Sequence, residues 1–205
     1  MESGVLQQSP VALFILILTV ATSLIAWQYA DLLRLFALNP WSLVRERRYY
    51  TFLTSGLIHA DGRHLIFNMF SFYFFAFPLE RWIGHGRFLT LYFASLVLSN
   101  ISTVIRNRNN PAYFCVGASG AVTAVIFSFI VYAPTSTIGI FGVIPMPALL
   151  FAVLFVGYSY YSARYRRTRI NHAAHLWGAV SGLALTLILD PAACRIFFYT
   201  LRLTS

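Results

Sequence analysis

The sequence contains no lysine. All 15 of its cationic side chains are arginines, set against only six acidic residues in 205. Charge is scarce altogether, at 10% of residues, where a soluble domain carries about 25%. With 59% hydrophobic residues and a mean hydropathy of +0.70, a soluble globular domain is excluded. The composition is that of an all-α polytopic membrane protein, read as a single domain over 1–205. Two cysteines, Cys115 and Cys194, do not make a disulfide framework. The net charge of +9 reads as loop arginines near lipid phosphates and not as nucleic-acid binding.

The shortage of acid removes whole classes of chemistry. Glu2, Asp31, Glu46, Asp61, Glu80 and Asp190 are the complete set, and none lies in the middle of an apolar run. An intramembrane aspartyl protease needs two facing carboxylates. A zinc hydrolase of the HExxH type needs its glutamate as base. A proton-coupled transporter built on buried carboxylates is disfavoured on the same ground.

What is present is a series of apolar runs. A hydrocarbon core takes about 20 apolar residues per helix. Six spans are expected, at 10–30, 64–79, 88–105, 118–133, 147–163 and 171–189. Charges mark their edges: Arg63 and Glu80 around the second, Arg87 and Arg106 around the third, Asp190-Pro191 after the sixth. No charged residue occurs between Arg108 and Arg164, so prolines 134, 145 and 147 divide that stretch into two spans. The first run is too long for a signal peptide and lacks arginine before it, so it is expected to be retained. Several runs are short, which suits tilted helices or a thinned bilayer. The first loop, 31–63, interleaves arginines with aromatics and is expected to be a partly helical segment at headgroup level. The fifth loop carries Arg164, Arg166, Arg167 and Arg169.

Polar residues cluster at the starts of alternate spans. His64 and Asn68, four apart, share a helix face at the start of the second. Ser119 opens the fourth, and His172 and His175 open the sixth. Spans two, four and six run in the same direction, so these three sets lie at one level of the membrane. Intramembrane ionisable groups are functional candidates. Small residues favour close helix approach: Gly120 with Ala124 on span four, Gly178 with Gly182 on span six. Such approach would bring Ser119 toward His175.

Taken singly, each residue has a plainer reading. Ser119 reads as a packing serine, His175 and His172 as packed histidines, and the GxxxG pair as ordinary helix contact. His64, His172 and His175 are possible imidazole ligands, but no carboxylate or suitable cysteine completes a metal site. No metal or cofactor is expected. Cys115, four residues before Ser119, lacks the helix-start placement of a nucleophile.

Together, these residues resemble the rhomboid intramembrane serine proteases over about residues 10–190. The matching pieces are His59-x4-His64-x3-Asn68, the GxSG motif Gly117–Gly120, and Ala174-His175-Leu-Trp-Gly178, preceded by Arg48-Tyr-Tyr-Thr-Phe in the first loop. The resemblance implies a six-transmembrane-helix rhomboid-like bundle. It implies Ser119 as nucleophile, His175 as general base, and His64, Asn68 and the Ser119 N–H around an oxyanion hole. Gly117, Gly120, Gly178 and Gly182 fall into motif and packing roles, and His59 into a structural one. The substrates implied are transmembrane segments of single-span or multi-span membrane proteins. The alternative is a proteolytically silent relative that binds transmembrane clients.

One position departs from the pattern. Many rhomboids carry a tyrosine four residues after the nucleophile, stacked on the catalytic histidine. Thr123 stands there, so Thr123, His172, Tyr113 or a phenolic neighbour is expected to orient His175. Orientation is a second point of tension. Eleven arginines fall on the side of loops one, three and five and four on the other. The positive-inside rule would put the site on the cytosolic face. The family pattern faces it outward from a cell (inner) membrane, and the family orientation is preferred because first-loop arginines at headgroup level bind lipid.

Overall fold

The computed structural model describes residues 8–140, 143–166 and 170–203. Each expected span coincides with one helix: α1 Pro10–Gln28, α5 Gly62–Ile83, α6 His85–Asn107, α7 Ser119–Tyr132, α8 Ala148–Tyr165 and α9 His172–Leu189. Three of them, α1, α6 and α9, are long and apolar enough by themselves to cross a membrane. The first loop folds into short helices α2 Ala30–Phe36, α3 Pro40–Arg45 and α4 Thr51–Thr54 with a 3-10 turn at Ser55–Leu57. Helix ends follow local chemistry. Asp61 caps α5 by accepting from the His64 N–H at 2.9 Å, and Asn171 caps α9 by accepting from the Ala174 N–H at 3.1 Å. Gly84, at φ +83°, ends α5 and lets α6 start at once.

α7 is the axis of the bundle, packed on α5, α6 and α9. Nearly every residue from Gly120 to Val131 is buried. Its 14 residues rise only about 21 Å, short of the roughly 30 Å hydrocarbon thickness. The chain before it, 108–118, is non-helical. Such backbone is tolerated at depth only when protein buries it or when it lines a cavity. Ser119 is the first residue of α7.

The opposite ends are tied by polar contacts. Ser128 and Thr186 share a hydroxyl hydrogen bond of 2.7 Å between α7 and α9. The Tyr132 hydroxyl donates to Asp190 at 2.8 Å. Glu80 is fully buried. It accepts from the Ala12 and Val11 N–H groups at 2.7 and 3.1 Å, and the His85 Nδ1 lies 2.6 Å away. A residue read from sequence as a span boundary is thus the N-terminal cap of α1, placed where the helix dipole favours a carboxylate.

Two elements lie outside the expected pattern. The link between α7 and α8 holds a two-stranded antiparallel hairpin, β1 Thr137–Ile140 with β2 Ile144–Pro147, in which Thr137 faces Pro147 and Gly139 faces Pro145. Prolines are tolerated there because both strands are edges. After Asp190-Pro191 the chain forms α10, Ala193–Arg202, with Phe198 and Tyr199 exposed. The fifth loop is shorter than expected, since Arg164 belongs to α8 and Arg166 caps it; Arg167 and Arg169 lie outside the described residues.

Candidate active site

The turn before α7 is shaped by Gly117. Its φ of +112° is a conformation that L side chains rarely adopt, and a Cβ there would lie 2.5 Å from His64 Cε1 and 2.7 Å from Nε2. The His64 imidazole therefore rests against the Gly117 backbone. First-loop segments hold the same turn from outside. Leu38 and Cys115 exchange backbone hydrogen bonds of 2.9 and 3.0 Å, and the Gly117 N–H donates to the Ser55 carbonyl at 2.8 Å. His59 joins the turn to α1. Its Nε2 accepts from the Ala118 N–H at 3.4 Å, its Nδ1 lies 3.2 Å from Ser23 Oγ, and its ring meets His64 edge-on at 4.9 Å. Burial first, and then the adjacent His64, push the His59 imidazole down to about 3, so it is held neutral.

The Ser119 N–H, first in α7, has no hydrogen-bond partner among the described residues. It is one of the orphan donors that every helix N-terminus presents. Ser119 is half-buried, so its side chain reaches open space. Asn68, on α5, is buried and donates one amide hydrogen to the His64 carbonyl at 2.9 Å, which leaves its second hydrogen available.

α9 approaches α7 at the small residues. A Cβ on Gly178 would collide with the Gly120 carbonyl, and one on Gly182 with the Ala124 carbonyl. The Ala174 carbonyl lies 3.4 Å from where a Cβ of Gly120 would stand. Ser119 and His175 are the chain neighbours of that contact, one on each helix. His172 and His64 each lie within electrostatic range of His175. No hydrogen bond joins Ser119 Oγ to His175 among the described residues, and such bonds are often long in unliganded sites.

The surroundings of His175 differ from the sequence expectation in detail. Thr123 gives its hydroxyl back to the Ser119 carbonyl at 2.8 Å and not to His175. His172 meets His175 edge-on at 5.9 Å. Tyr113 is bonded instead to Cys115. Phe155, on α8, presents its ring to His175 at 6.0 Å and a 30° tilt. Nothing in the sequence singles out Phe155, because the chain has 19 phenylalanines and none is marked by spacing. Asn171 is a second functional neighbour outside the sequence expectations. Besides capping α9, it donates to Thr103 Oγ1 at 2.8 Å and to Cys115 Sγ at 3.6 Å, tying α6, α9 and the segment leading to Ser119. Its position just before a helical apolar run is the signal that could have found it. Burial raises the Cys115 thiol above its ordinary range, so Cys115 is a poor thiolate nucleophile.

No group of three or more His, Cys, Asp or Glu arranged to hold a metal occurs among the described residues. The arrangement offers a hydroxyl at a helix start, an imidazole on the adjoining helix, and unspent N–H donors beside the hydroxyl. Those are the parts of acyl-transfer chemistry.

Comparison with known proteins supplies the family. The Rhomboid domain model matches residues 46–191. This chain belongs to the rhomboid family. The match contains His59, His64, Asn68, Ser119, His172 and His175, and it leaves α1 outside. The rhomboid YdcA of Bacillus subtilis (strain 168) is 32% identical over 148 residues, covering 71% of this chain and 69% of that protein. The RHOMBOID-like protein 12, mitochondrial, of Arabidopsis thaliana is 28% identical over 150 residues, 66% of this chain and 45% of that one. The rhomboid protease GlpG of Haemophilus influenzae is 27% identical over 141 residues, 68% and 69% respectively. Rhomboid membership together with the apolar helices makes this an integral membrane protein with a multi-span helical fold.

Proposed function

We propose that this rhomboid is an intramembrane serine endopeptidase in which Ser119 and His175 form the catalytic dyad. The observation that carries the reading is the contact of α7 and α9 at Gly120, Ala174 and Gly178, next to Ser119 and His175. Rhomboid-protease relatives support it.

In this mechanism a transmembrane segment of another membrane protein unwinds near its end and presents a peptide carbonyl to Ser119. The Ser119 hydroxyl oxygen attacks the carbonyl carbon as its proton passes to the His175 imidazole. The tetrahedral oxyanion is held by the Ser119 N–H, the second Asn68 amide hydrogen and His64, a contribution of roughly 3–4 kcal/mol per donor. The intermediate collapses, the C–N bond breaks, and His175 returns the proton to the leaving amine. Water then attacks the Ser119 ester, with His175 taking its proton, and the ester cleaves to a free carboxylate and the restored hydroxyl. No carboxylate among the described residues orients the imidazole, so packing by Phe155 and His172 takes that part. The six helices α1 and α5–α9 all cross the bilayer in this reading, as a single domain of a cell (inner) membrane.

The test is reconstitution with a generic transmembrane substrate. Ser119→Ala and His175→Ala are each expected to lower the rate by several orders of magnitude, and a fluorophosphonate probe is expected to label Ser119 in the parent. Asn68→Ala is expected to slow cleavage while keeping probe labelling. Undiminished cleavage by Ser119→Ala sinks the dyad. A protein that binds transmembrane clients without cleaving them, and without probe labelling, is the silent relative; the unbonded Ser119 side chain is the observation on its side.

A further inference from the structure

We infer that the cavity between the last turn of α6, the end of α8 and the first turn of α9 binds a phosphate group. The cavity measures about 140 Å³ and is lined by Arg106, Arg166 and His172. Both arginines are exposed, and neither guanidinium has an ion pair or hydrogen bond among the described residues. His172 is only 5% exposed, and neither its Nδ1 nor its Nε2 has a hydrogen-bond partner among the described residues. Its neighbours Tyr158 and His175 touch it ring to ring, at 5.3 and 5.9 Å, without bonding its nitrogens. Buried polar nitrogens left unpaired are uncommon and call for a partner.

The chemistry of that partner follows from the wall. None of the acidic residues among the described residues lines the cavity. The nearby Asn107 amide is already spent on the Thr103 carbonyl at 2.9 Å. The unengaged groups of the wall include two guanidinium forks and one imidazole N–H as donors, and the Ser162 hydroxyl, also without a partner among the described residues, can donate as well. A tetrahedral oxyanion with several acceptor oxygens matches this set, and guanidinium groups bind phosphate in bidentate fashion. The cavity sits at the C-terminal ends of α6 and α8 and the N-terminal end of α9. Two sources supply the same chemistry there, an anionic phospholipid headgroup and free phosphate. An occupant would tie α6 and α8 to α9, the helix that carries His175. This site is independent of whether Ser119 is a nucleophile.

The experiment is thermal unfolding of delipidated protein in a neutral detergent, at constant ionic strength. Inorganic phosphate and phosphatidylglycerol are added separately, with diacylglycerol as the phosphate-free lipid. A Tm rise of about 2–4 °C is expected in the parent. The rise is lost in the Arg106→Gln/Arg166→Gln double variant and kept in Arg195→Gln, which lies on α10. A rise with both additives means that phosphate alone suffices; a rise with phosphatidylglycerol alone assigns the site to lipid. No rise with either, or an equal rise in the double variant, overturns the proposal. Should the double variant not fold, Arg166→Gln alone is compared with the parent by native mass spectrometry for retained phosphatidylglycerol. Equal retention overturns the proposal, and reduced retention supports it.

Discussion

At the scale of single residues, the site depends on side chains that hold others in place. Phe155 presents its ring to His175 at 6.0 Å and a 30° tilt, while the Thr123 hydroxyl bonds back to the Ser119 carbonyl. Phe155→Ala is expected to lower kcat about tenfold, a loss of roughly 1.4 kcal/mol in the transition state, with KM changed less; Phe155→Tyr should restore the rate. Equal rates for Phe155→Ala and parent, measured well below both melting points, would remove Phe155 from the mechanism. His59 makes a different kind of prediction. Its folded pKa is depressed from 6.5 to about 3 by burial, so between those values the unfolded chain binds a proton that the folded chain does not. Stability therefore rises with pH across that window and is fully present above it. Melting temperatures at pH 4.5 and 7.5 should differ more for the parent than for His59→Gln, and equal differences would refute the assignment. His59 was legible in the sequence as a motif member. Its part as the strut between Ser23 and Ala118 was not, because those partners lie 36 and 59 residues away.

At the scale of elements, helix contact and helix propensity pull glycine in opposite directions. Gly178 meets the Gly120 backbone with no room for a methyl group, while at Gly157, in α8, an added Cβ would find nothing within 4 Å. Alanine gains about 1 kcal/mol over glycine in a helix interior. Gly157→Ala is therefore expected to raise the melting temperature. Gly178→Ala is expected to lower it, because separating α7 from α9 costs about 1–3 kcal/mol as overpacking does, and to lower activity with it. The same sign of shift at both positions would contradict the packing account. The small-residue spacing was legible as a contact surface. So was the partner, since small residues on spans four and six were expected to bring Ser119 toward His175; the pairs that touch, Gly178 with Gly120 and Gly182 with Ala124, were not, because GxxxG says only that some backbone comes close. The hairpin at Thr137–Pro147 was hidden as well: its prolines read as breakers, and strand pairing depends on what lies opposite.

At the scale of the whole molecule, the six crossings proposed above would fix which parts share a side. Loop residues 108–112 then lie opposite α10. In a Cys194→Ser background, Asn109→Cys is expected to react with a membrane-impermeant maleimide on intact cells, whereas native Cys194 in the parent is expected to stay unlabelled. The reverse pattern would favour the arginine count over the family orientation; labelling of both would break the six-span reading. Some of the loop arginines are engaged within the protein. Arg45 donates to the Arg108 carbonyl at 2.7 Å and lies over the Trp41 ring, and Arg48 pairs with Glu46 at 2.7 Å. The sequence by itself determined the membrane class, the approximate bounds of six apolar helices, and the level shared by His64, Ser119 and His175, because hydropathy, edge charges and alternating direction are properties of the chain. Tertiary structure alone decided that α7 is short and central, with Ser119 as its first residue. It also decided that Glu80 is buried as the cap of α1, that Phe155 faces His175, and that His172, its ring nitrogens without a partner among the described residues, lines a cavity with Arg106 and Arg166. Each of those depends on a partner distant in the chain, and local pattern carries no information about which distant group will pack there.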